Sequence, residues 1–384
     1  MIKVTSKIRR VKKIRVGVLF GGRSAEHEVS LVSAESIMNA LGRNRYTIIP
    51  IGITPDGCWF SDAKIFNELK QRRYRSRRHQ SILSPDPTTG GLLSWTAASQ
   101  ALRRIKLDVV FPVLHGTFGE DGTLQGLLDL ANIPYVGAGV LGSSVSMDKV
   151  MTKQLCCLRG IPVSPSVFFY SHDFHEDPAA VRVMVEKNLD YPYFVKPANL
   201  GSSVGISKVH DRGELKKAIL LASRYDRKIL VEESIENARE IEVGVLGNDT
   251  PRASVPGEII PSNEFYDYDA KYVDGASKAV IPAQLPRTLV RKLQNMAVDA
   301  FQTVECAGMA RIDFLVVRKT GKIYFNEINT IPGFTSISMY PKLWKATGVS
   351  YPRLLDELIR LAIERNRENG RLQRVYAPKR AWYR

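Results

Sequence analysis

Two short stretches toward the C-terminal end carry the residue types most able to do chemistry together. Arg311-Ile-Asp313-Phe lies in one apolar run and Phe325-Asn-Glu327-Ile-Asn329 in the next. Both runs read as strands, and the alternation of side chains puts Arg311 with Asp313 on one face, and Glu327 with Asn329 on one face. Two carboxylates and an amide oxygen converging between paired strands form an all-oxygen donor set suited to Mg²⁺, which keeps waters and binds substrate phosphates. Burying such carboxylates without partners is costly, which argues against a plain core role. The turn that follows, Thr330 to Ser338 with Pro332 and Gly333, brings backbone donors beside that site.

A phosphate site is legible further upstream. Tyr193-Phe-Val-Lys196 reads as a strand delivering a lysine into Gly201-Ser202-Ser203-Val-Gly205, a loop of N–H groups and hydroxyls that can close over a polyphosphate. Lys149, in Ser-Met-Asp-Lys149, is a second candidate cation. No GxxxxGK[ST] string is present, which excludes a P-loop enzyme. Gly137-Ala-Gly139-Val-Leu-Gly142 matches GxGxxG but lacks an acidic residue ending a strand about 20 residues on, so it reads as a domain junction. Near the start, Gly21-Gly22-Arg-Ser24-Ala-Glu26 sets a carboxylate just past a strand end, and His115-Gly116 ends another. Open α/β sheets bind ligands at that edge.

The elements that must position these groups alternate. Strands are expected at 14–20, 46–53, 107–114 and 133–136, with helices at 29–41 and 121–131, so the first domain is α/β with a largely parallel sheet. The polar, turn-rich 54–105 stretch reads as a surface excursion, and a helix at 143–159 opens the next section. Strands at 166–170, 192–197, 205–209 and 228–233 follow, with helices at 177–188 and 213–224. A third section has strands at 240–246, 255–260, 308–318 and 322–328, then helices at 286–304 and 352–367.

Composition sets the outer bounds. The chain has 384 residues, 44% hydrophobic and 24% charged, which fits two or three globular domains and excludes disorder or coiled coil. No apolar run is long enough for a membrane span, and the basic start lacks the apolar segment of a secretory signal. Four cysteines form no disulfide framework, so a cytoplasmic setting is expected. The net charge of +16 is peripheral: 1–15 carries +7, and 64–79 and 360–384 carry +6 each. A nucleic-acid groove would gather its charge around the working site, so no specific nucleic-acid partner is expected.

In order along the chain, GGRSAEHEVS, HGTFGEDG, MDK, FVKPANLGSSVG, YDAKY, RIDF and NEINTIPGFTSIS resemble the D-alanine–D-alanine ligases of the ATP-grasp superfamily, over residues 14–365. The resemblance implies an α/β (α+β) enzyme of three domains. These are a Rossmann-like domain at 1–137 with a basic extension, a central ATP-grasp domain at 138–236 and a C-terminal one at 237–369, followed by a basic tail at 370–384. ATP is then clamped between two sheets. The resemblance further implies that Lys149, Lys196, Lys271 and the loop of Gly201, Ser202 and Ser203 bind ATP, with Glu232 and Glu240 on its base and ribose. Asp313, Glu327 and Asn329 would hold two Mg²⁺, with Mn²⁺ as a substitute.

By the same resemblance, Glu26 takes the ammonium of the first D-alanine within a network of Ser202 and Tyr272, and His115 lines that pocket. Arg311 and the Gly333 backbone face the oxyanion, and Ser338 with Met339 receives the second D-alanine. A lid at 262–280 keeps water from the acyl phosphate. Tyr272 stands where D-lactate-using relatives carry His, which favours an amine as second nucleophile and a dipeptide product. A homodimer in a bacterial cytoplasm, making peptidoglycan precursor without membrane contact, completes what the resemblance implies.

Overall fold

The computed structural model describes residues 12–74, 79–96, 101–260 and 278–376. Lys271, Tyr272 and all but the last residues of the expected 262–280 lid lie outside the described residues.

The N-terminal sheet is centred on Ile14–Gly21. Val16, Val18 and Phe20 point to one face against Leu31, Ala34 and Ile37 of the helix His27–Ala40, while Leu19 points to the other with Ile51 and Val110. Burial on both faces is what a run of β-branched and aromatic residues without polar alternation demands. The order is Trp59–Phe60, Tyr46–Ile53, Ile14–Gly21, Val109–Pro112, with parallel pairing among the last three. The 54–105 stretch is more ordered than its composition suggests. It contains the helix Ile65–Lys70 and an antiparallel sheet of His79–Leu83, Gly91–Thr96 and Arg103–Lys106. Leu83 and Leu92 tie this sheet into the cluster of Leu19 and Ile51, too few apolar positions to give a strand signal among the prolines and arginines.

The helix expected at 143–159 is two helices, Val140–Met147 and Lys149–Leu158, broken at Asp148. Asp148 adopts an extended backbone and caps the second helix, its carboxylate accepting from the N–H groups of Val150 and Met151 at 3.0 and 3.1 Å. The GxGxxG string serves packing: a Cβ at Gly142 would lie 2.6 Å from the Glu305 carbonyl oxygen, so only glycine permits that approach.

The central sheet, in the order Ser207–Val209, Tyr193–Pro197, Lys228–Glu233, Ser166–Tyr170, is antiparallel throughout. Tyr193, Val195, Ile229 and Val231 face the helices Pro178–Asn188 and Arg212–Ala222. Alternation then leaves Phe194, Lys196, Leu230 and Glu232 on the opposite face. A third, antiparallel sheet runs Lys278–Val280, Gly257–Ile260, Ala238–Gly247, Gly308–Val317, Ile323–Asn329. Ile312, Phe314 and Val316 pack against Leu293, Ala297 and Phe301 of the helix Arg287–Thr303, which turns Arg311 and Asp313 the other way.

The last helix, Tyr351–Asn369, returns to the N-terminal sheet. Leu354, Leu355, Leu358 and Ile359 join the cluster of Val16 and Phe20, and Tyr46 Oη donates to Asp356 at 2.7 Å. The first strand and this last described helix are thereby packed into one cluster, and the 330–334 turn lies against the edge strand Val109–Pro112 and His115. No helix among the described residues is long and apolar enough to cross a membrane.

Candidate active site

A cleft of ≈ 500 Å³ opens where the three sheets meet. From the first sheet come Glu26 and His115. Lys149 enters from the helix that Asp148 caps, and Gly201 with Ser202 from the loop after Lys196. Arg311, Glu327 and Asn329 stand on the third sheet, with Gly333, Ser338 and Met339 on the turn beyond it; all of these line the cleft. Lys196, Ser203, Glu232, Glu240 and Asp313 are not among its lining residues, although Asp313 is bonded directly to Arg311.

The metal-type cluster is set by register. Asp313 pairs directly with Glu327 and Arg311 with Asn329, while on the other flank Glu242 pairs with Asp313. The alternation of Ile323–Asn329 would by itself send Glu327 toward the core, since Ile323 and Phe325 are buried. A register shift opposite Asp313 and Phe314 leaves Asn326 unpaired and reverses the phase, so that Ile328 is buried and Glu327 and Asn329 face the cleft. Arg311 donates to both oxygens of Asp313 at 2.8 and 2.6 Å and lies 3.2 Å from Glu242. Burial works against its charge, but Asp313, Glu242 and Glu327 override that and raise its pKa.

Whether these groups suit a divalent cation can be judged from their chemistry. Asn329 Oδ1 is a buried acceptor with no hydrogen-bond partner among the described residues, and it sits on the same strand face as Glu327. No trio of His, Cys, Asp or Glu side chains forms a self-sufficient cage among the described residues. Two carboxylates and an amide would instead complete their shell with phosphate and water oxygens, as Mg²⁺ or Mn²⁺ prefers. The residues fit.

At the other end, Ser202 Oγ donates to Glu26, and both Ser202 and Ser203 hold left-handed backbone at φ 52° and 58°, a strained conformation that costs energy. His115 is fully enclosed, with Nδ1 3.0 Å from the Ile331 carbonyl and Nε2 3.2 Å from Ser33 Oγ. Burial lowers its pKa, outweighing the pull of Glu26, so it is neutral with Nδ1–H donating. It braces the cleft wall and offers no charge.

On the central sheet Lys196 reaches diagonally across to Glu232, whose other oxygen is 2.7 Å from Lys153 and accepts from Ser164 at 2.7 Å. Burial alone would raise the Glu232 pKa; Lys153 and Lys196 hold it well below the carboxylate range instead. Lys149 Nζ donates to the Leu200 carbonyl at 2.6 Å and lies 3.9 Å from Glu327, bridging the loop and the third sheet.

Sequence reasoning missed Glu120, Glu242, Lys153 and Ser33. Glu242 is two positions beyond Glu240 on one strand, and Lys153 one helical turn beyond Lys149, spacings that could have found both. Glu120 lies inside a motif that was otherwise read. Its oxygens accept from the N–H groups of Gly116 at 2.8 Å and Ile331 at 3.1 Å, joining the two cleft walls. Burial, reinforced by Glu26, pushes it up to about 8. From 4.5 to about 8 the folded chain therefore holds a proton that the unfolded chain has released, and this group's contribution to stability falls as pH rises through that window. Glu120→Gln should abolish that slope in urea unfolding measured between pH 5 and 8. It should also cost about 1–3 kcal/mol at pH 5, since an amide can accept from only one of the two N–H groups. An unchanged pH slope would show that Glu120 is ionised.

The family model described as D-ala D-ala ligase N-terminus matches residues 15–138, and that for the C-terminus matches 155–360. A D-alanine–D-alanine ligase of Natranaerobius thermophilus is 52% identical over 361 residues, 94% of this chain and 98% of that one. Another, from Acetivibrio thermocellus, is 48% identical over 371 residues, 93% and 98% of the two chains. Among solved structures, the VanG D-Ala:D-Ser ligase of Enterococcus faecalis is similar with TM-score 0.81 and 40% identity, covering 91% of this chain and 100% of that one. The D-alanine–D-alanine ligase of Coxiella burnetii gives 0.79 and 39%, covering 94% and 97%.

Proposed function

The chain belongs to the D-alanine–D-alanine ligase family, with the ATP-grasp fold and an ATP-dependent ligase activity, and from that premise we propose that it joins two D-alanines through a D-alanyl phosphate. The product feeds cell-wall precursor synthesis. What supports this most is that one cleft gathers a carboxylate pocket at Glu26 and Ser202, the cations Lys149 and Arg311, and the oxygen cluster of Glu327 and Asn329.

In this reading Glu26 accepts from the ammonium of the first D-alanine, so its carboxylate points at the γ-phosphate. The phosphoryl group passes to that carboxylate and ADP departs. Lys149 and Lys196 offset charge spreading over the transferring oxygens. The second D-alanine, held through its carboxylate at Ser338 with Met339 beside it, attacks with its amine. The tetrahedral carbon forms with its oxyanion toward Arg311 and the Gly333 N–H, and collapses by expelling phosphate. Glu232 and Glu240 take the base and ribose. Asp313, Glu327 and Asn329 would hold two divalent ions, which supply Lewis-acid neutralisation of the phosphate oxygens. Lys271 and Tyr272 of the lid complete the ATP and first-substrate contacts. The domain boundaries at 137/138 and 236/237, a homodimer and a bacterial cytoplasm belong to the same proposal.

The test is phosphate release from MgATP with D-alanine alone, L-alanine alone, and D-alanine with D-lactate or D-serine, the product being weighed by mass spectrometry. D-alanine-dependent release yielding the dipeptide is expected. Preferential mixed product with D-serine, the substrate named for the Enterococcus neighbour, or with D-lactate would overturn the second-site assignment. No D-alanine-dependent turnover would overturn the function.

A further inference from the structure

One buried lysine has no part in the chemistry above. Lys153 is 4% exposed, lies one turn after Lys149 on the helix Lys149–Leu158, and touches Glu232 at 2.7 Å and Ser164 at 3.2 Å. Ser164 closes a triangle by donating to the same Glu232 oxygen at 2.7 Å. The other Glu232 oxygen is taken by Lys196.

The charge count gives this arrangement its meaning. Lys196 and Glu232 alone would be a neutral buried pair, and any phosphate drawing Lys196 away would leave Glu232 buried without a counter-charge. Stripping one partner from a buried pair is strongly unfavourable. With Lys153 fixed on the far oxygen, the cluster carries two cations for one carboxylate. Lys196 can then turn to an anion while Glu232 stays ionised, oriented by Lys153 and Ser164. On the nucleotide-site assignment made above for Lys196 and Glu232, we propose that Lys153 is a positioning residue that releases Lys196 for the ATP phosphates and holds Glu232 aimed at the purine.

The helix explains why one segment can do both jobs. Lys149 and Lys153, four residues apart, share a face, so the Asp148 cap that fixes the helix start sets the depth of both ammonium groups at once. Lys149 reaches the cleft and Lys153 stops one turn behind it.

The test uses the full chain and steady-state kinetics with MgATP and D-alanine. Lys153→Met should raise KM for ATP about 10²-fold, with KM for the first D-alanine moving less than about threefold. Lys153→Arg, which keeps the charge, should return KM for ATP to within about fivefold of the parent. In a Glu232→Gln background no counter-charge is needed, so adding Lys153→Met should change KM for ATP by less than about threefold. Equal effects of Lys153→Met in both backgrounds would overturn the proposal, as would an unchanged KM for ATP in the single variant while Lys196→Met raises it. Should Lys153→Met not fold, failure of Lys153→Arg to bind ATP normally, or of the double variant to fold, overturns it too. If Lys196→Met also leaves KM for ATP unmoved, the nucleotide-site assignment itself is what fails.

Discussion

Glu327→Gln is expected to lower turnover about 10²–10³-fold while the fold and the affinity for the first D-alanine stay near those of the parent. Glu327 is the cleanest probe of the oxygen cluster. Its side chain is 32% exposed, on the cleft face of a strand whose core contacts come from Ile323, Phe325 and Ile328. Replacing it by an isosteric amide therefore opens no hole in the core, and Arg311 keeps Asp313 and Glu242 as counter-charges. Asp313 offers no such separation, because it accepts both donors of the Arg311 fork, and its removal would strip both of those bonds from a buried guanidinium. The readouts are kcat and the Mg²⁺ concentration for half-maximal rate. The first should collapse and the second should rise. Full turnover with unchanged Mg²⁺ dependence would remove Glu327 from metal binding.

How far the site can be seen in the sequence depends on distance along the chain. Arg311 with Asp313, and Glu327 with Asn329, are each two apart, so strand alternation alone puts each pair on a face. That both pairs meet is a matter of register, and the shift beside Asp313 that turns Glu327 outward leaves no mark in a single sequence. Glu242 had a local signal in its spacing from Glu240, but its place beside Asp313 did not, because it belongs to a strand about 70 residues earlier that lies on the other side of Asp313. The break of the 143–159 helix at Asp148 had a local signal, an aspartate at cap position, but apolar spacing on both sides overrode it. The small sheet within 54–105 was illegible because its burial rests on contacts with Leu19 and Ile51 of other strands. Motif order, by contrast, pointed to the family without any of this, and several motif residues, among them Glu26, Lys149, Ser202, Arg311, Glu327 and Asn329, do line one cleft, whereas Lys196, Glu232, Glu240 and Asp313 do not. That the helix Tyr351–Asn369 meets the first strand came only from packing.

A single methyl group should have a large effect at the first-substrate end of the cleft. Gly116→Ala is expected to raise KM for the first D-alanine about 10²-fold while costing only about 1–2 kcal/mol of stability. Gly116 has φ +74°, so a side chain there is strained in any surroundings. Its Cβ would also lie 2.7 Å from Glu26 Oε2. That oxygen is the end of a flexible side chain and can move aside at little energetic cost. Moving it, however, displaces the carboxylate that Ser202 holds, and with it the anchor for the substrate ammonium. Function should then suffer far more than folding. Gly160→Ala is the matched control: φ is +75°, and nothing lies within 4 Å of its Cβ. Both variants carry the same backbone strain, and only one touches Glu26. Similar losses of stability by urea unfolding, with KM changed in Gly116→Ala alone, would assign the kinetic effect to the displaced carboxylate. An unchanged KM in Gly116→Ala would mean that Glu26 does not anchor the substrate in the position the cleft provides.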